Sequence, residues 1–297
     1  MWRRDVMLAP RTRWKIGGRA PLFAEAGSEV ELRALLERLE GGPLRTLGGG
    51  ANLLISDSGP GLPVVVLGGE FKQQEIREAT IRFGAATPIA WLVQGARRGR
   101  RSGLWILEAV PGTVGGALRM NAGTADVGIW EIVVWAEVMF PGGRVERLRP
   151  RDVRPRYRGI DLDPSAVFLR GEVAAPVGDK DTIEREHRER RDRKLAAQVY
   201  DRPTCGSTWK NPAPPMPSAW QLVERVGLRG ARRGGAQISE KHANFIVNLG
   251  DARATDVVDL MAETRSRVLD EVGVALEPEL HFWGFPAEVL EKLGASS

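Results

Sequence analysis

Apolar positions recur along the chain with two periods, and the switch between them marks out its elements. Over residues 27–40, Val30, Leu32, Leu35, Leu36 and Leu39 form a helical stripe. Ser28, with Glu31 three residues on, opens it, and Gly41 and Gly42 close it. Short apolar runs at 44–47, 53–55 and 64–67 predict strands, the first two separated by Gly48-Gly49-Gly50-Ala51-Asn52. A strand at 80–85 precedes a helix over 89–98, with Thr87 as its cap and Pro88 in its first position. Alternation over 133–140, a Pro141-Gly142-Gly143 turn and a return over 145–148 predict a hairpin. A strand at 167–169 and a charged helix over 181–198 follow. Beyond them come a short helix at 220–226, a strand at 244–248 and a long helix, then a last strand at 280–283. In the long helix Val257, Val258, Leu260, Met261, Thr264, Val268 and Leu269 share a face. The order of elements is α+β, without regular βαβ alternation or internal repeat.

One stretch fits neither period. Val110–Gly123, "VPGTVGGALRMNAG", is too rich in glycine for a good core helix or strand. It reads as backbone laid against a large flat or phosphorylated ligand, or as a connector. Gly48–Asn52, between two strands, is suited to an anion nest, or is simply a tight turn. It lacks the spacing of a dinucleotide-binding fingerprint, and no Walker A loop exists. Two such segments in one α+β chain point to one dinucleotide-like ligand touched twice.

Length and charge narrow the class. The 297 residues allow two or three domains. No run of about 20 apolar residues exists to span a bilayer. Arg3 and Arg4 are not followed by the apolar run of a secretory signal, and Cys205 has no partner for a disulfide, which together predict a cytoplasmic protein. A net charge of +5 favours anionic partners. The arginines are interleaved with acids, as in "EREHRERRDRK" over 184–194, which reads as a solvated helix face. The nine tryptophans are scattered rather than spaced as a stacking platform, so a nucleotide ligand is expected and nucleic acid is not. His187, His242 and His281 lie far apart without metal-ligand spacing, so no metal is expected.

Four places carry candidate chemistry. In "CGSTWKNP", residues 205–212, Ser207 is a nucleophile or proton donor, or part of a polar turn; it lacks the nucleophile-elbow pattern. In "GGAQISEKHAN", residues 234–244, His242 is catalytic or a hydrogen-bonded scaffold residue. Glu279, after Pro278 at the start of an apolar strand, is a candidate for a partly buried carboxylate. Tyr157-Arg158 stands in a basic loop with Arg151, Arg154 and Arg156, where an inward arginine and a surface charge are both open readings.

Together these segments resemble the UDP-N-acetylenolpyruvoylglucosamine reductase family. The resemblance runs from about Thr12 to Gly284 through "TRWKIGG" (12–18), "LGGGANLLISD" (47–57), "VPGTVGGALRMNAG" (110–123), "YR" (157–158), "CGSTWKNP" (205–212), "GGAQISEKHANFIVN" (234–248) and "LEPEL" (276–280). It implies a vanillyl-alcohol-oxidase-type FAD-binding region of two subdomains, here 1–68 and 69–199, and a C-terminal α+β substrate domain, 200–297. Gly48, Gly49, Gly50, Ala51, Asn52 and Leu53 would then hold the FAD pyrophosphate. Pro111, Gly112, Thr113, Gly115, Gly116, Asn121, Ala122 and Gly123 would lie along the flavin. Ser207 falls on the family's proton donor, and Arg158 and Glu279 on its catalytic arginine and glutamate. Tyr157, Lys210, Asn211, Gln237 and His242 would line the sugar nucleotide. The resemblance further implies NADPH as reductant, reduction of an enolpyruvyl ether, peptidoglycan precursor synthesis and a monomer. It departs at Ile160, where family members commonly carry serine, and the short stretch between Arg158 and Ser207 matches the shorter subtype without a tyrosine-bearing loop. A flavin oxidase for another alcohol or sugar, and a nucleotide-binding regulatory module, are the competing readings.

Overall fold

A computed structural model describes residues 1–295. They fall into two compact units whose boundaries ignore chain order. The first comprises Met1–Arg3, Leu22–Gly49 and Pro63–Lys194; the second comprises Arg4–Pro21, Gly50–Leu62 and the chain from Leu195 onward. The linear division at residues 199 and 200 therefore leaves out two early segments that fold with the C-terminal part.

In the first unit, the strand Val64–Leu67 runs parallel to residues 23–26 on one side and to Arg45–Thr46 on the other. The helix Glu29–Glu37 covers this sheet with Leu32, Leu35 and Leu36 buried. Its cap is the expected one: Ser28 accepts from the Glu31 amide at 3.2 Å, and Glu31 reaches back to the Gly27 amide at 2.6 Å. A second sheet of the unit is antiparallel, in the order Gln74–Ile76, Thr80–Gly84, Val167–Ala174, Val133–Met139, Val145–Leu148. The predicted hairpin is its far edge, with Met139 opposite Val145. The strand foreseen at 167–169 extends to Ala174, pairing with neighbours on both sides, and Gly171 lets it pass where an added side chain would meet the Phe83 ring at 2.7 Å and the Trp135 carbonyl at 2.8 Å. One apolar core runs through the unit, and it includes Ile160.

Two local expectations fail here for identifiable reasons. The helix Ile89–Arg98 starts after Pro88, which is its cap rather than its first residue. The Thr87 hydroxyl does not cap it, since it donates to the Gln73 carbonyl at 3.0 Å. The glycine-rich stretch does contain a helix, Val114–Met120. Thr113 caps it, and its small residues let it sit close to the antiparallel sheet with Val114, Ala117 and Leu118 buried.

In the second unit, the antiparallel sheet Arg232–Arg233, Ala236–Ile238, Ile246–Asn248 packs with the helices Ala219–Arg225 and Ala254–Val272. Leu53–Ile55 pairs in parallel with His281–Trp283. The early segment Arg4–Pro21 contributes Trp14, which is 1% exposed. Its indole donates to the Ile246 carbonyl at 2.9 Å, and its own carbonyl accepts from Asn248 at 2.9 Å. The long helix buries Val257, Leu260, Met261, Thr264 and Val268; Leu269, one residue and about 100° further round, is turned off that stripe and exposed.

Candidate active site

The glycine segments of the first unit meet. A Cβ built on Gly49 would come within 2.5 Å of the Gly112 Cα, and one on Gly48 within 2.6 Å of the Thr113 hydroxyl. At these positions glycine is required for loop-on-loop packing. Within the helix that follows, Gly115 lies on the sheet, where a Cβ would meet the Ala85 Cβ at 2.9 Å; Gly116 is exposed and a Cβ there would meet only the Thr113 hydroxyl, at 3.6 Å. Gly116 is thus the residue of the pair that leaves room for a bound group.

The amides divide in the same way. Those at the helix start are taken: Val114 donates to the Thr87 carbonyl (2.9 Å), Gly115 to Ala85 (2.8 Å) and Ala117 to Thr113 (3.0 Å). The amides of Gly48, Gly49, Gly50 and Ala51 have no acceptor among the described residues. A run of unclaimed N–H groups is the property an anion nest needs, so the loop fits a pyrophosphate and the helix start does not.

The exit of the segment is tied to the basic loop. Asn121, at φ +45, donates from Nδ2 to the Arg156 carbonyl (3.0 Å) and accepts from the Trp130 amide (3.2 Å), so both ends of its side-chain amide serve the fold. Arg158 takes a left-handed backbone, φ +57, in a turn closed by Arg156 and Gly159. Its Nη1 donates to the Thr124 carbonyl at 3.2 Å, and its guanidinium lies 4.7 Å from the centre of the half-exposed Tyr157 ring.

In the second unit the Ser207 segment is the middle of three extended runs. On one side Ser207 bridges Phe245, and the Thr208 amide donates to the Asn244 carbonyl at 2.8 Å. On the other, the Glu279 amide donates to the Thr208 carbonyl at 2.9 Å and the Lys210 amide to the Glu277 carbonyl at 2.8 Å. Ser207 and Glu279 therefore lie on neighbouring runs. Asn244 pins the middle run at both Trp209 backbone groups, at 2.9 and 2.8 Å. Asn52 joins the cluster, donating to the Glu279 carbonyl at 2.8 Å and accepting from the His281 amide at 3.1 Å. Cys205 is buried against the Gly50 and Leu53 carbonyls, and burial pushes its thiol up to about 11, out of reach of nucleophilic use at neutral pH.

The remaining candidates are spread around this cluster. Lys210 pairs loosely with Glu277, at 3.4 Å. Asn211 accepts from the Ala219 amide at 3.0 Å at the start of a helix, and Gln237 donates to the Gly230 carbonyl at 3.2 Å. The His242 ring packs on Phe245, 4.7 Å between centres. Its Nδ1 accepts from the Asn244 amide at 3.2 Å, which leaves the proton of the neutral ring on Nε2. Burial first, then the charges of Arg229 and Lys241, lower its pKa against a backbone hydrogen bond that raises it. Among the described residues no three His, Cys, Asp or Glu side chains converge as a metal site.

The model of the UDP-N-acetylenolpyruvoylglucosamine reductase C-terminal domain matches residues 198–283, and that of an FAD binding domain matches 20–149. UDP-N-acetylenolpyruvoylglucosamine reductase 2 of Symbiobacterium thermophilum is 40% identical over 286 residues, covering 95% of this chain and 92% of that protein. The chain belongs to the UDP-N-acetylenolpyruvoylglucosamine reductase family. A second family member, from Anaeromyxobacter sp., is 41% identical over 293 residues, covering 98% and 88% of the two chains. The crystal structure of the Thermus caldophilus reductase superposes with a TM-score of 0.84 at 36% identity, covering 95% of this chain and all of that one. As a member of this reductase family the protein is an FAD-dependent oxidoreductase, and its unclaimed loop amides are consistent with that cofactor.

Proposed function

We propose that this protein reduces the enolpyruvyl ether of UDP-N-acetylglucosamine enolpyruvate to UDP-N-acetylmuramate, with NADPH as reductant, as a cytoplasmic monomer in peptidoglycan precursor synthesis. The FAD-binding work is assigned to 1–68 and 69–199 and the substrate to 200–297, with residues 4–21 and 50–62 folding with the last of these. The observation that carries the reading is the backbone pairing of the Ser207 run with the Glu279 run, in a chain of this family. FAD, held by the loop amides, would supply hydride transfer between NADPH and the enolpyruvyl double bond. The protein's own residues do the rest. Gly48, Gly49, Gly50 and Ala51 offer amides to the pyrophosphate, with Asn52 and Leu53 continuing that contact. Pro111, Gly112, Thr113, Gly116, Ala122 and Gly123 border the flavin, with Gly115 and Asn121 shaping that border from behind. Ser207 gives a proton to the carbon next to the substrate carboxylate, Arg158 holds that carboxylate as a fork, and Glu279 donates a hydrogen bond to it when protonated. Tyr157, Lys210, Asn211, Gln237 and His242 line the sugar nucleotide. Between Arg158 and Ser207 the chain forms the strand Val167–Ala174 and the helix Lys180–Ala197, which supports the shorter subtype without a tyrosine-bearing substrate loop.

Separated half-reactions test this. Ser207→Ala is expected to keep bleaching of the flavin by NADPH, while reoxidation by the enolpyruvyl substrate slows by roughly 10²–10⁴-fold, the usual weight of a general acid. Equal loss of both halves would make Ser207 a structural residue and overturn its role.

A further inference from the structure

The helix Lys180–Ala197 carries charges that its sequence assigns to solvent, yet one of its faces is engaged within the first unit. His187 is 1% exposed, and its Nδ1 lies 2.6 Å from Glu108 Oε2. The hydrogen bond from His187, outweighing burial, holds the Glu108 carboxyl below the ordinary carboxylate range. Arg190 Nη2 donates to the Gly123 carbonyl at 3.3 Å, and Lys194 Nζ to the Ala109 carbonyl at 3.4 Å. Steps of three and four residues put these side chains on one helix face. Their targets are the two ends of one segment: Glu108 and Ala109 lead into the glycine-rich stretch, and Gly123 leaves it. Ala109 is held at φ +56, a conformation alanine keeps only where its surroundings enforce it. Thr124, next to Gly123, is the residue whose carbonyl receives Arg158.

We propose that this helix face is a brace, in which the His187–Glu108 pair sets the entrance of the flavin-side segment and Arg190 sets its exit, making both positioning residues for the flavin and, through Thr124, for Arg158. The proposal rests on the reading that 110–123 borders the flavin. The helix in the middle of the segment is anchored by its own buried Val114 and Leu118, whereas at the entrance the Ala109 carbonyl and at the exit the Gly123 carbonyl are held by the charged helix, without filling the space beside Gly116.

The test uses the holoenzyme with Arg190→Met, Arg190→Lys and the paired Glu108→Gln/His187→Gln variant. FAD affinity, visible circular dichroism of the bound flavin and the two half-reaction rates per bound flavin are measured. Arg190→Met is expected to weaken FAD roughly tenfold or more, to alter the flavin dichroism, and to slow reoxidation by the enolpyruvyl substrate more than reduction by NADPH. Arg190→Lys, which keeps a donor for the Gly123 carbonyl, recovers most of each; the paired variant weakens FAD without the bias towards one half-reaction. FAD affinity, dichroism and rates unchanged in Arg190→Met and in the paired variant overturn the brace. So does a change confined to thermal stability. Gly116→Leu separates the underlying reading: if that variant binds FAD as the parent does, the segment does not border the flavin. If it loses FAD while Arg190→Met is unaltered, the brace alone fails.

Discussion

Gly115 and Gly116 are adjacent and do different work. An added Cβ at Gly115 meets the Ala85 Cβ at 2.9 Å and the Ala85 carbonyl at 3.0 Å, so a side chain there overpacks the helix against the sheet. Overpacking of this kind costs about 1–3 kcal/mol. At Gly116 the same change meets only the Thr113 hydroxyl, at an ordinary 3.6 Å, and gains helix propensity, about 0.8 kcal/mol from glycine to a good helix former. Gly115→Leu is therefore expected to lower the urea midpoint of the apoprotein, with weaker flavin binding as a consequence. Gly116→Leu is expected to leave that midpoint unchanged or raised while flavin absorbance is lost from the purified protein. A Gly116→Leu protein as yellow as its parent would refute the assignment of that face. The sequence shows that backbone must come close to something along this stretch, but Gly48, Gly49 and Gly115 meet other parts of the chain, and only the packing distinguishes them from Gly116. Asn121 is the same lesson in reverse: its side-chain amide is consumed by Arg156 and Trp130.

Among the elements, the long helix Ala254–Val272 shows what local pattern can and cannot reveal. Its apolar stripe is legible because the period of 3.6 is written into residues 257–268. Its N-terminus is not, because Arg253 stands where a capping oxygen is needed. The missing acceptors come from Asp57, whose carboxylate takes the Ala254 amide at 2.8 Å and the Thr255 amide at 3.1 Å. That gives the last residue of "LGGGANLLISD" a structural task that no spacing rule connects to a helix almost 200 residues away. Removing a cap of this kind costs about 1–2 kcal/mol, and a negative charge at a helix start adds to it. Asp57→Ala should lower the thermal midpoint by a few degrees, and Asp57→Asn by less, with flavin content unchanged. No shift in Asp57→Ala would mean that water caps the helix as well as the carboxylate does. The charged helix Lys180–Ala197 is solvated over most of its surface, as its composition predicts, and buries only Ile183 and His187. Composition assigns such a helix to solvent, and its buried His187 is visible only once Glu108 is found beside it.

For the whole molecule, the decisive property is that chain order and structural units disagree. The C-terminal unit borrows Trp14, Ile16 and Leu54 for its core, and Leu53–Ile55 as the parallel partner of His281–Trp283. It also borrows Asp57 as a helix cap. Truncating one buried tryptophan to alanine costs about 3–5 kcal/mol. A whole domain is stable by only about 5–15 kcal/mol. Losing Trp14, Leu54, a paired strand and a cap together is comparable with that whole margin. A fragment of residues 195–297 is therefore expected to lack a cooperative thermal transition and near-ultraviolet dichroism, although the reductase C-terminal model matches most of it. Supplying residues 4–21 and 50–62 on a second chain, joined by a flexible linker, should restore both signals, because those segments complete the core and pair the exposed strand. A fragment that unfolds cooperatively by itself would show that the early segments only decorate a self-sufficient domain. The burial of Trp14, with both its indole and its carbonyl bonded to the strand Ile246–Asn248, argues that they are part of its core.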